Sequence, residues 1–432
     1  MIKSVQTNSL TVIDLFSGAG GMSLGFHLHP AFEIVAAFDG EFGKPSSGKG
    51  KLGCNETYRS NIPITPTAVD LAHIEDQEIE AIRAEILHGM DLDVLSACPP
   101  CTGFSRANPN NHLADDHRNS LVVRTEKWVR ILRPNVLVME NARELLRGNF
   151  SHHFRELRKS LEFMGYQVHA SVHMLNQFGL PQRRERALVI ASKLPGGVKS
   201  LEDLWSGYRV KEAATTVHRC IASLPNIQAG EKLADDKFHI SPSMNEDSIA
   251  RLKAIPKNGG SWTDLRFQKN GEQLMTPAMK RYVEAEDFGS HPDVYGRMAW
   301  DRPAVTIKRE CSHIGNGRYA HPEQDRLCSV REMALLQGFP MHFKFGGGSV
   351  SNMYRHIGDA VPPLISYQLA HVVHWIFTGK KPEIRDCVLP GTSLLPDDIQ
   401  NMKHIRTGQL SLLEHQSERF EEQAAEKLVT LG

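Results

Sequence analysis

The chain lacks an excess of charge of either sign. Its 50 lysine and arginine residues balance 50 aspartate and glutamate residues, which gives a formal net charge of zero. A chain without a global positive field needs a local basic face for any binding to nucleic acid.

Long hydrophobic segments are absent as well. No run reaches the roughly 18 apolar residues that mark a membrane-spanning helix. The first residues, MIKSVQTNSLTVIDLF, show no apolar core followed by a small-residue cleavage site. We therefore expect a cytoplasmic protein that does not enter a membrane.

Cysteine is scarce and scattered, with seven residues in 432, so a disulfide scaffold is excluded and reduced thiols are expected. Cys98 and Cys101 lie in SACPPCTGFSR, a spacing that fits a redox pair, half a zinc site or a lone nucleophile. Paired prolines are awkward at the helix start that a redox CxxC normally occupies. Zinc needs a second ligand pair, and Cys311 and Cys328 lack that spacing. This leaves Cys98 as a core residue and Cys101 as a candidate nucleophile.

Short apolar runs alternate with amphipathic stretches over the first 195 residues. The apolar runs are LTVIDLF, EIVAAFD, LDVLSA, RPNVLVMEN and RALVIAS. Alternation of this kind predicts an α/β fold with a mostly parallel, doubly wound, Rossmann-like sheet that binds ligands at the carboxyl ends of its strands. We divide the chain into an ordered region 1–200, a smaller irregular region 201–300, a second ordered region 301–400 and a charged tail 401–432.

A glycine-rich turn follows the first predicted strand. Gly18, Gly20 and Gly21 in DLFSGAGG let the backbone approach a ligand closely, although the order GxGG departs from the dinucleotide fingerprint GxGxxG. Asp39 ends the second strand, where an acidic residue can bind ribose hydroxyls. Asp70 could accept a hydrogen bond from an adenine amino group or cap a helix. Together these features favour an adenosine-bearing cofactor, and S-adenosylmethionine fits better than NAD.

A carboxylate and an arginine cluster follow. Glu140 in VLVMENA is interpreted either as an acid whose pKa is raised by partial burial or as a helix N-cap together with Asn141. QRRER holds Arg183, Arg184 and Arg186 just before a strand. In an extended segment the side chains at 184 and 186 face the same side, where they could bind a carbonyl oxygen or a phosphate. The alternative is that these arginines form an exposed, solvated group of charged residues that binds no ligand.

Taken in order, these segments resemble one family, the bacterial-type DNA (cytosine-5-)-methyltransferases. DLFSGAGG resembles the cofactor loop, PPCTGFS the nucleophile loop usually written PCQ, and ENA the ENV motif. QRRER resembles the RxR motif, VREMALLQGFP a late scaffold motif, and GDAVPP the closing GNAVPP motif. Thr102 replaces the usual Gln, Asp359 replaces the usual Asn, and Gly40 stands where an aromatic residue often faces adenine.

The resemblance implies roles for individual residues. Cys101 would be the nucleophile and Glu140 the acid, while Arg186, with Arg184, would hold the base and its surroundings. The cofactor pocket would be formed by Phe16, Ser17, Gly18, Ala19, Gly20, Gly21, Asp39, Asp70, Leu71, Pro100, Leu121, Asp359 and Val361. No metal is expected. The two ordered regions would form the catalytic and cofactor-binding domain, and the irregular region would be the target-recognition domain.

The implied reaction is methyl transfer from S-adenosylmethionine to C5 of cytosine in a specific double-stranded DNA sequence, with S-adenosylhomocysteine as product. The thiolate would add to C6 of a base extruded from the helix, while the acid at N3 and an arginine at O2 stabilise the developing charge. Candidate DNA contacts are Ser105, Arg106, Asn108, Lys257, Arg266 and Lys269. We expect Trp262 to pack inside the protein rather than to insert between DNA bases.

The expected partners are DNA and a cognate restriction endonuclease. We expect a monomer in a bacterial cytoplasm, associated with the nucleoid when bound to DNA. Three alternatives remain open: methylation of cytosine in tRNA, a non-enzymatic cofactor-binding subunit, and a thiol-dependent oxidoreductase.

Overall fold

The computed structural model describes residues 9–41, 52–100, 115, 119–286, 288 and 293–402. The predicted nucleophile Cys101, the neighbouring candidates for DNA contact and nearly all of the predicted tail lie outside these described residues. Within the described part of the chain, no helix is long and apolar enough to cross a membrane.

One seven-stranded sheet organises the chain. Its strands are β1 Leu10–Leu15, β2 Phe32–Asp39, β3 Thr67–Ala68, β4 Val94–Ala97, β5 Val136–Ala142, β6 Gln167–Met174 and β7 Glu185–Ser192. Their order in space is β3-β2-β1-β4-β5-β7-β6, and the strands from β3 through β5 pair in parallel. Strand β7 is antiparallel to both of its neighbours. The predicted α/β class with a mostly parallel, doubly wound sheet is confirmed.

Helices cover both faces of the sheet. In the first half of the chain they are α1 Gly21–Leu28, α2 Cys54–Arg59, α3 Asp76–Leu87, α4 Ser120–Leu132, α5 Glu144–Arg147 and α6 His152–Phe163. The later helices are α7 Leu201–Trp205, α8 Val217–Ile221, α9 Glu246–Ala254, α10 Gly271–Leu274, α11 Pro277–Glu284, α12 Val330–Leu336, α13 Val350–Asp359 and α14 Pro363–Thr378.

Alternate residues of each central strand enter different cores. Val12 joins the core cluster that contains residues of α1 and α14, whereas Ile13 joins the one that contains residues of α3, α4 and α6. Because successive strand side chains point to opposite faces, a sheet covered on both sides needs a continuous apolar run. The sequence order reverses between β1 and β4, and such a switch point is where doubly wound sheets bind ligands.

Region 201–300 consists mainly of short helices and turns. A two-stranded antiparallel ribbon of β8 Tyr208–Val210 and β9 Ile399–Asn401 links it to the end of the described chain. Its apolar residues Leu265 and Met279 belong to the same continuous core as α12 and α14. Trp262 is 1% exposed and lies against Tyr282 and Phe288, so the prediction that it is a packing residue is confirmed.

A buried ion pair holds the start of α12. The guanidinium of Arg326 donates to both carboxylate oxygens of Glu332, at 2.7 and 2.8 Å, and both side chains are almost fully buried. Ser329 caps the helix and donates its backbone N–H to the same carboxylate at 2.6 Å. Burial raises the pKa of Glu332, but Arg326 outweighs this effect and holds that pKa below its usual value.

Candidate active site

The glycine loop lies at the switch point of the sheet, between β1 and α1. Gly18 has φ 51° and Gly20 has φ 89°, in the left-handed region that glycine adopts without strain. A Cβ atom on Gly21 would lie 2.3 Å from the carbonyl oxygen of Val361. Glycine at 21 therefore lets the closing GDAVPP segment pack directly on the loop, and this contact brings Val361 to the predicted cofactor site.

Asp39 connects the end of β2 to the glycine loop. One carboxylate oxygen accepts a hydrogen bond from the backbone N–H of Gly18 at 2.9 Å, and the other accepts from the backbone N–H of Glu41 at 2.7 Å. A carboxylate has about four acceptor positions, so these two bonds orient Asp39 and leave capacity for a ligand hydroxyl.

Asp14 forms a buried network beneath the loop, which our reading of the sequence missed. Its carboxylate accepts from Ser23 Oγ at 2.5 Å, and Ser23 in turn accepts from the Tyr58 hydroxyl at 2.8 Å. Burial raises the pKa of Asp14 to about 6, against the lowering effect of hydrogen bonds from Ser23 and Ser96. The sequence did contain a signal for this network, because Asp14 is a single carboxylate inside the apolar run LTVIDLF. Buried strands rarely hold a charge without a partner, so its position indicated a buried polar contact.

Glu140 lies within β5, and the neighbouring strand supplies its cationic partner. Arg186 Nε lies 2.8 Å from Glu140 Oε1, and both side chains are largely buried. The antiparallel register pairs Ala142 with Arg186, two residues from Glu140 along β5, which brings the two charges together. The alternative that Glu140 caps a helix is wrong, because it lies inside a strand and α5 begins only at Glu144.

Asn141 ties β5 to the segment that leads to Cys101. Its side-chain amide donates to the carbonyl oxygen of Pro99 at 2.9 Å and accepts from the backbone N–H of Ala142 at 2.8 Å. The side chain is 1% exposed. Asn141 therefore positions the backbone two residues before the predicted nucleophile, a role that the spacing within the ENA motif did not indicate.

Cys98 packs against the core beside β5. Burial, followed by the charge of Glu140, raises the pKa of the Cys98 thiol well above its ordinary value. A thiol with a raised pKa stays protonated at neutral pH and is a poor redox partner. These observations support Cys98 as a core residue.

Arg184 and Arg186 have different surroundings although only one residue separates them. Arg186 contacts Glu140, whereas the 2% exposed Arg184 donates to backbone carbonyls. Those carbonyls belong to Ile307, at 3.0 Å, and to Gly358 and Ala360, each at 3.4 Å. Arg184 thus joins the start of β7 to the closing segment.

Asp359, which stands where the family has an amide, forms an ion pair with Arg309 at 2.8 Å.

Asp70 accepts a hydrogen bond from the backbone N–H of Ala72 at 2.9 Å and pairs with His73 at 2.7 Å. It begins a turn rather than a helix, since α3 starts at Asp76, so the N-cap alternative for Asp70 is wrong.

Of the apolar residues predicted for the cofactor pocket, Phe16 is half-buried and Pro100 is exposed. The others are buried: Ala19, Leu71, Leu121 and Val361. Ser17 is 6% exposed, and its hydroxyl has no hydrogen-bond partner among the residues that the structure describes. Because a buried hydroxyl normally finds a partner, Ser17 fits a polar ligand at the glycine loop. The residues present are therefore compatible with S-adenosylmethionine.

Two of the three basic residues predicted to contact phosphates in the 201–300 region, Lys257 and Arg266, contact other protein side chains. Lys257 forms an ion pair with Asp325, which also binds the buried Arg297. The guanidinium of Arg266 lies 4.7 Å from the ring centre of the exposed Phe267 and 4.6 Å from that of Phe288. Lys269 is exposed.

Comparison with known proteins agrees with this architecture. Residues 10–375 match the family described as C-5 cytosine-specific DNA methylase. The Type II methylase M.HgiDII of Herpetosiphon aurantiacus is 31% identical over 372 residues, covering 85% of this chain and 96% of that protein. The Type II methyltransferase M1.HphI of Haemophilus parahaemolyticus is 30% identical over 370 residues, covering 84% and 87%.

A solved DNA modification methyltransferase encoded within an Escherichia coli prophage shares the fold, with a TM-score of 0.57 at 20% identity. The aligned region covers 85% of this chain and 99% of that one. The chain therefore belongs to the family of C-5 cytosine-specific DNA methylases and is a DNA (cytosine-5-)-methyltransferase.

Proposed function

We propose that this enzyme methylates C5 of cytosine within a specific double-stranded DNA sequence through a covalent bond between Cys101 and C6 of a flipped base. The observation that carries the proposal is the buried pair of Glu140 and Arg186. It lies on β5, the strand that Asn141 connects to Pro99, two residues before Cys101.

The chemistry requires activation of a weak nucleophile, because C5 of cytosine does not attack a methyl group unaided. The Cys101 thiolate adds to C6, and the electron pair of the C5–C6 double bond is delocalised over C5, N3 and O2. The Glu140 carboxyl group donates a proton or hydrogen bond to N3, where negative charge accumulates. After C5 has taken up the methyl group, the C5 proton leaves to water, N3 returns its proton to Glu140, and the Cys101–C6 bond breaks to restore the aromatic ring.

Arg186 also stabilises the negative charge that develops on the base. Its guanidinium orients Glu140 and carries further donors that can stabilise O2 of the base. Arg184 is assigned a different contribution: its carbonyl contacts hold the closing segment against β7, so it positions the pocket in which the base lies.

S-adenosylmethionine, when bound, supplies the electrophilic methyl group and yields S-adenosylhomocysteine. Ser17, Asp39 and the glycine loop would hold it, with Asp70, Asp359 and the apolar residues Leu71, Leu121 and Val361. Asp39 is preorganised for this role by its bond to Gly18.

A base stacked in a duplex cannot reach this site. Glu140 is only 8% exposed, so its carboxyl group can meet N3 only if the base enters the protein. Extrusion of the base costs a few kcal/mol, which contacts from the 201–300 region and from the segment after Cys101 would offset. Phosphate contacts would position the duplex, and base-edge contacts would select the sequence.

The biological setting proposed is a restriction–modification system. The relatives M.HgiDII and M1.HphI carry Type II names. We propose that the chain acts as a monomer on bacterial nucleoid DNA and protects its site from a cognate endonuclease.

The test is trapping with 5-fluorocytosine, whose fluorine replaces the C5 proton and prevents release of the enzyme. Bisulfite sequencing first identifies the methylated site. Duplex DNA that carries 5-fluorocytosine at the target position of this site is then incubated with S-adenosylmethionine and wild-type protein. A covalent complex stable to denaturation is expected, absent for Cys101→Ser and present for the control Cys98→Ala. A complex in Cys101→Ser, or methyl transfer to tRNA alone, would refute the proposal.

A further inference from the structure

Three ligand-type side chains that are not part of the catalytic pair converge on one another. They are Asp115, in the chain between Cys101 and α4, and His152 and His153, the first two residues of α6. Asp115 Oδ2 lies 2.8 Å from His153 Nε2 and 3.6 Å from His152 Nε2. Among the residues that the structure describes, this is the one group of three such side chains whose ligand atoms lie within 4.8 Å of each other.

The spacing of these atoms is close to that of a metal centre. Zinc binds imidazole nitrogen and carboxylate oxygen at about 2.0–2.2 Å, so two ligand atoms at a tetrahedral angle are about 3.4 Å apart. The observed separations of 2.8 and 3.6 Å lie on either side of that value. The two imidazole ligand atoms lie within 4.8 Å of each other, so side-chain adjustments would place one ion between the three atoms.

The surroundings support the ligand arrangement. Asn119, which is fully buried, donates from its side-chain amide to Asp115 Oδ1 at 2.7 Å. This bond leaves Oδ2 directed at the imidazoles, and such outer contacts orient metal ligands generally. Partial burial raises the pKa of Asp115, but hydrogen bonds from Asn119 and His153 outweigh that effect and lower it, so the carboxylate is ionised at neutral pH.

We propose that Asp115, His152 and His153 bind one divalent transition-metal ion. Imidazole nitrogens with one carboxylate suit Zn²⁺ and its neighbours in the first transition row. The side chains of His152 and Asp115 are 41% and 39% exposed, so water completes the coordination. The ion joins Asp115 to the first turn of α6, and it serves as a structural tie rather than as a catalyst.

The affinity expected is moderate. The N-terminus of α6 carries a partial positive charge that opposes a cation, and the charge of Asp115 offsets it. With three protein ligands and this opposing dipole, we expect a dissociation constant in the micromolar range.

The experiment uses full-length protein without a histidine tag, stripped with a chelator and titrated with ZnCl₂ by calorimetry. One equivalent is expected to bind, and Zn²⁺ at about 100 times its dissociation constant should raise the thermal midpoint by several degrees, because the ion binds the folded state. Co²⁺ should give a visible spectrum without a thiolate charge-transfer band, which separates this site from binding at Cys101.

Three variants test the assignment. Asp115→Asn, His152→Ala and His153→Ala should each weaken binding at least tenfold, and circular dichroism verifies their fold. His169→Ala is the matched control: His169 and His173 lie 3.9 and 3.1 Å from Glu202, but their ligand atoms do not converge with its carboxylate on one point. It should bind Zn²⁺ as the wild type does.

Absence of stoichiometric binding to wild-type protein, or equal binding to all three variants, would overturn the proposal. Asp115 would then simply accept hydrogen bonds from the imidazoles. None of these measurements depends on methyl transfer, so their failure would leave the proposed function untouched.

Discussion

Replacing Asn141 with alanine tests whether the link between β5 and the segment before Cys101 controls catalysis. In the folded protein the Asn141 amide makes two hydrogen bonds, one to the carbonyl oxygen of Pro99 and one from the N–H of Ala142. Alanine removes both bonds, and the buried site leaves the two backbone groups without partners.

The magnitude follows from this accounting of bonds. A buried group that loses its hydrogen-bond partner costs about 1–3 kcal/mol, so two such groups should lower the free energy of unfolding by about 2–6 kcal/mol. The larger effect should be on the chemical step. Freeing Pro99 allows Cys101 to shift, and a displacement of about 1 Å in a reacting group can cost about 100-fold in rate.

The assay is single-turnover methyl transfer from tritiated S-adenosylmethionine to duplex DNA, at a temperature where the variant is folded. The matched control is Asn61→Ala. Asn61 likewise bonds backbone groups, outside the catalytic machinery. It donates to the carbonyl oxygens of Lys344, at 2.7 Å, and Thr57, at 2.8 Å, and it accepts from the N–H of Lys344 at 2.9 Å. It should lose stability without a comparable loss of rate.

We expect cofactor affinity to fall less than the rate in Asn141→Ala, since the hydrogen bonds of Asn141 go to Pro99 and Ala142 and, of the predicted cofactor-binding residues, Pro100 adjoins Pro99. If the rate in Asn141→Ala falls no more than in Asn61→Ala, the amide is a general stabilising contact and our reasoning about the position of Cys101 is wrong.

Further predictions concern the acid, the buried ion pair and pH. Glu140→Gln should lower single-turnover methyl transfer by about 10²–10⁴-fold while cofactor binding persists, because the amide cannot protonate N3; an unchanged rate would exclude Glu140 as the acid. Arg326→Met should lower the free energy of unfolding in urea by about 3–5 kcal/mol, because it leaves the Glu332 carboxylate buried and unpaired, and adding Glu332→Leu should recover part of the loss. Burial lowers the pKa of His321 and His356 from 6.5 to about 4, so the folded state stays neutral where the unfolded chain is protonated. Stability should then decline as pH falls from 6.5 towards 4, by about 1.4 kcal/mol per pH unit for each histidine. His356→Gln should reduce that slope, and an identical slope would argue against a neutral His356.

Local sequence patterns were sufficient for most of the sheet. LTVIDLF, EIVAAFD and RALVIAS became β1, β2 and β7, since buried strands covered on both faces need continuous apolar runs. Strand β6 was not recognised because its sequence, QVHASVHM, is polar, as an edge strand that is half exposed can be. The antiparallel direction of β7 also left no local signal.

The sequence by itself determined the fold class, because apolar periodicity and a glycine turn are local properties, and its resemblance to the family predicted the reacting groups. Only the tertiary structure decided which groups meet. The tertiary structure pairs Arg186 with Glu140, whereas Arg184 donates to the backbone carbonyl of Ile307. It also joins Asn141 to Pro99 and brings Asp115 to the histidines of α6. These contacts depend on strand register and helix packing between segments far apart in the chain, which residue spacing does not encode.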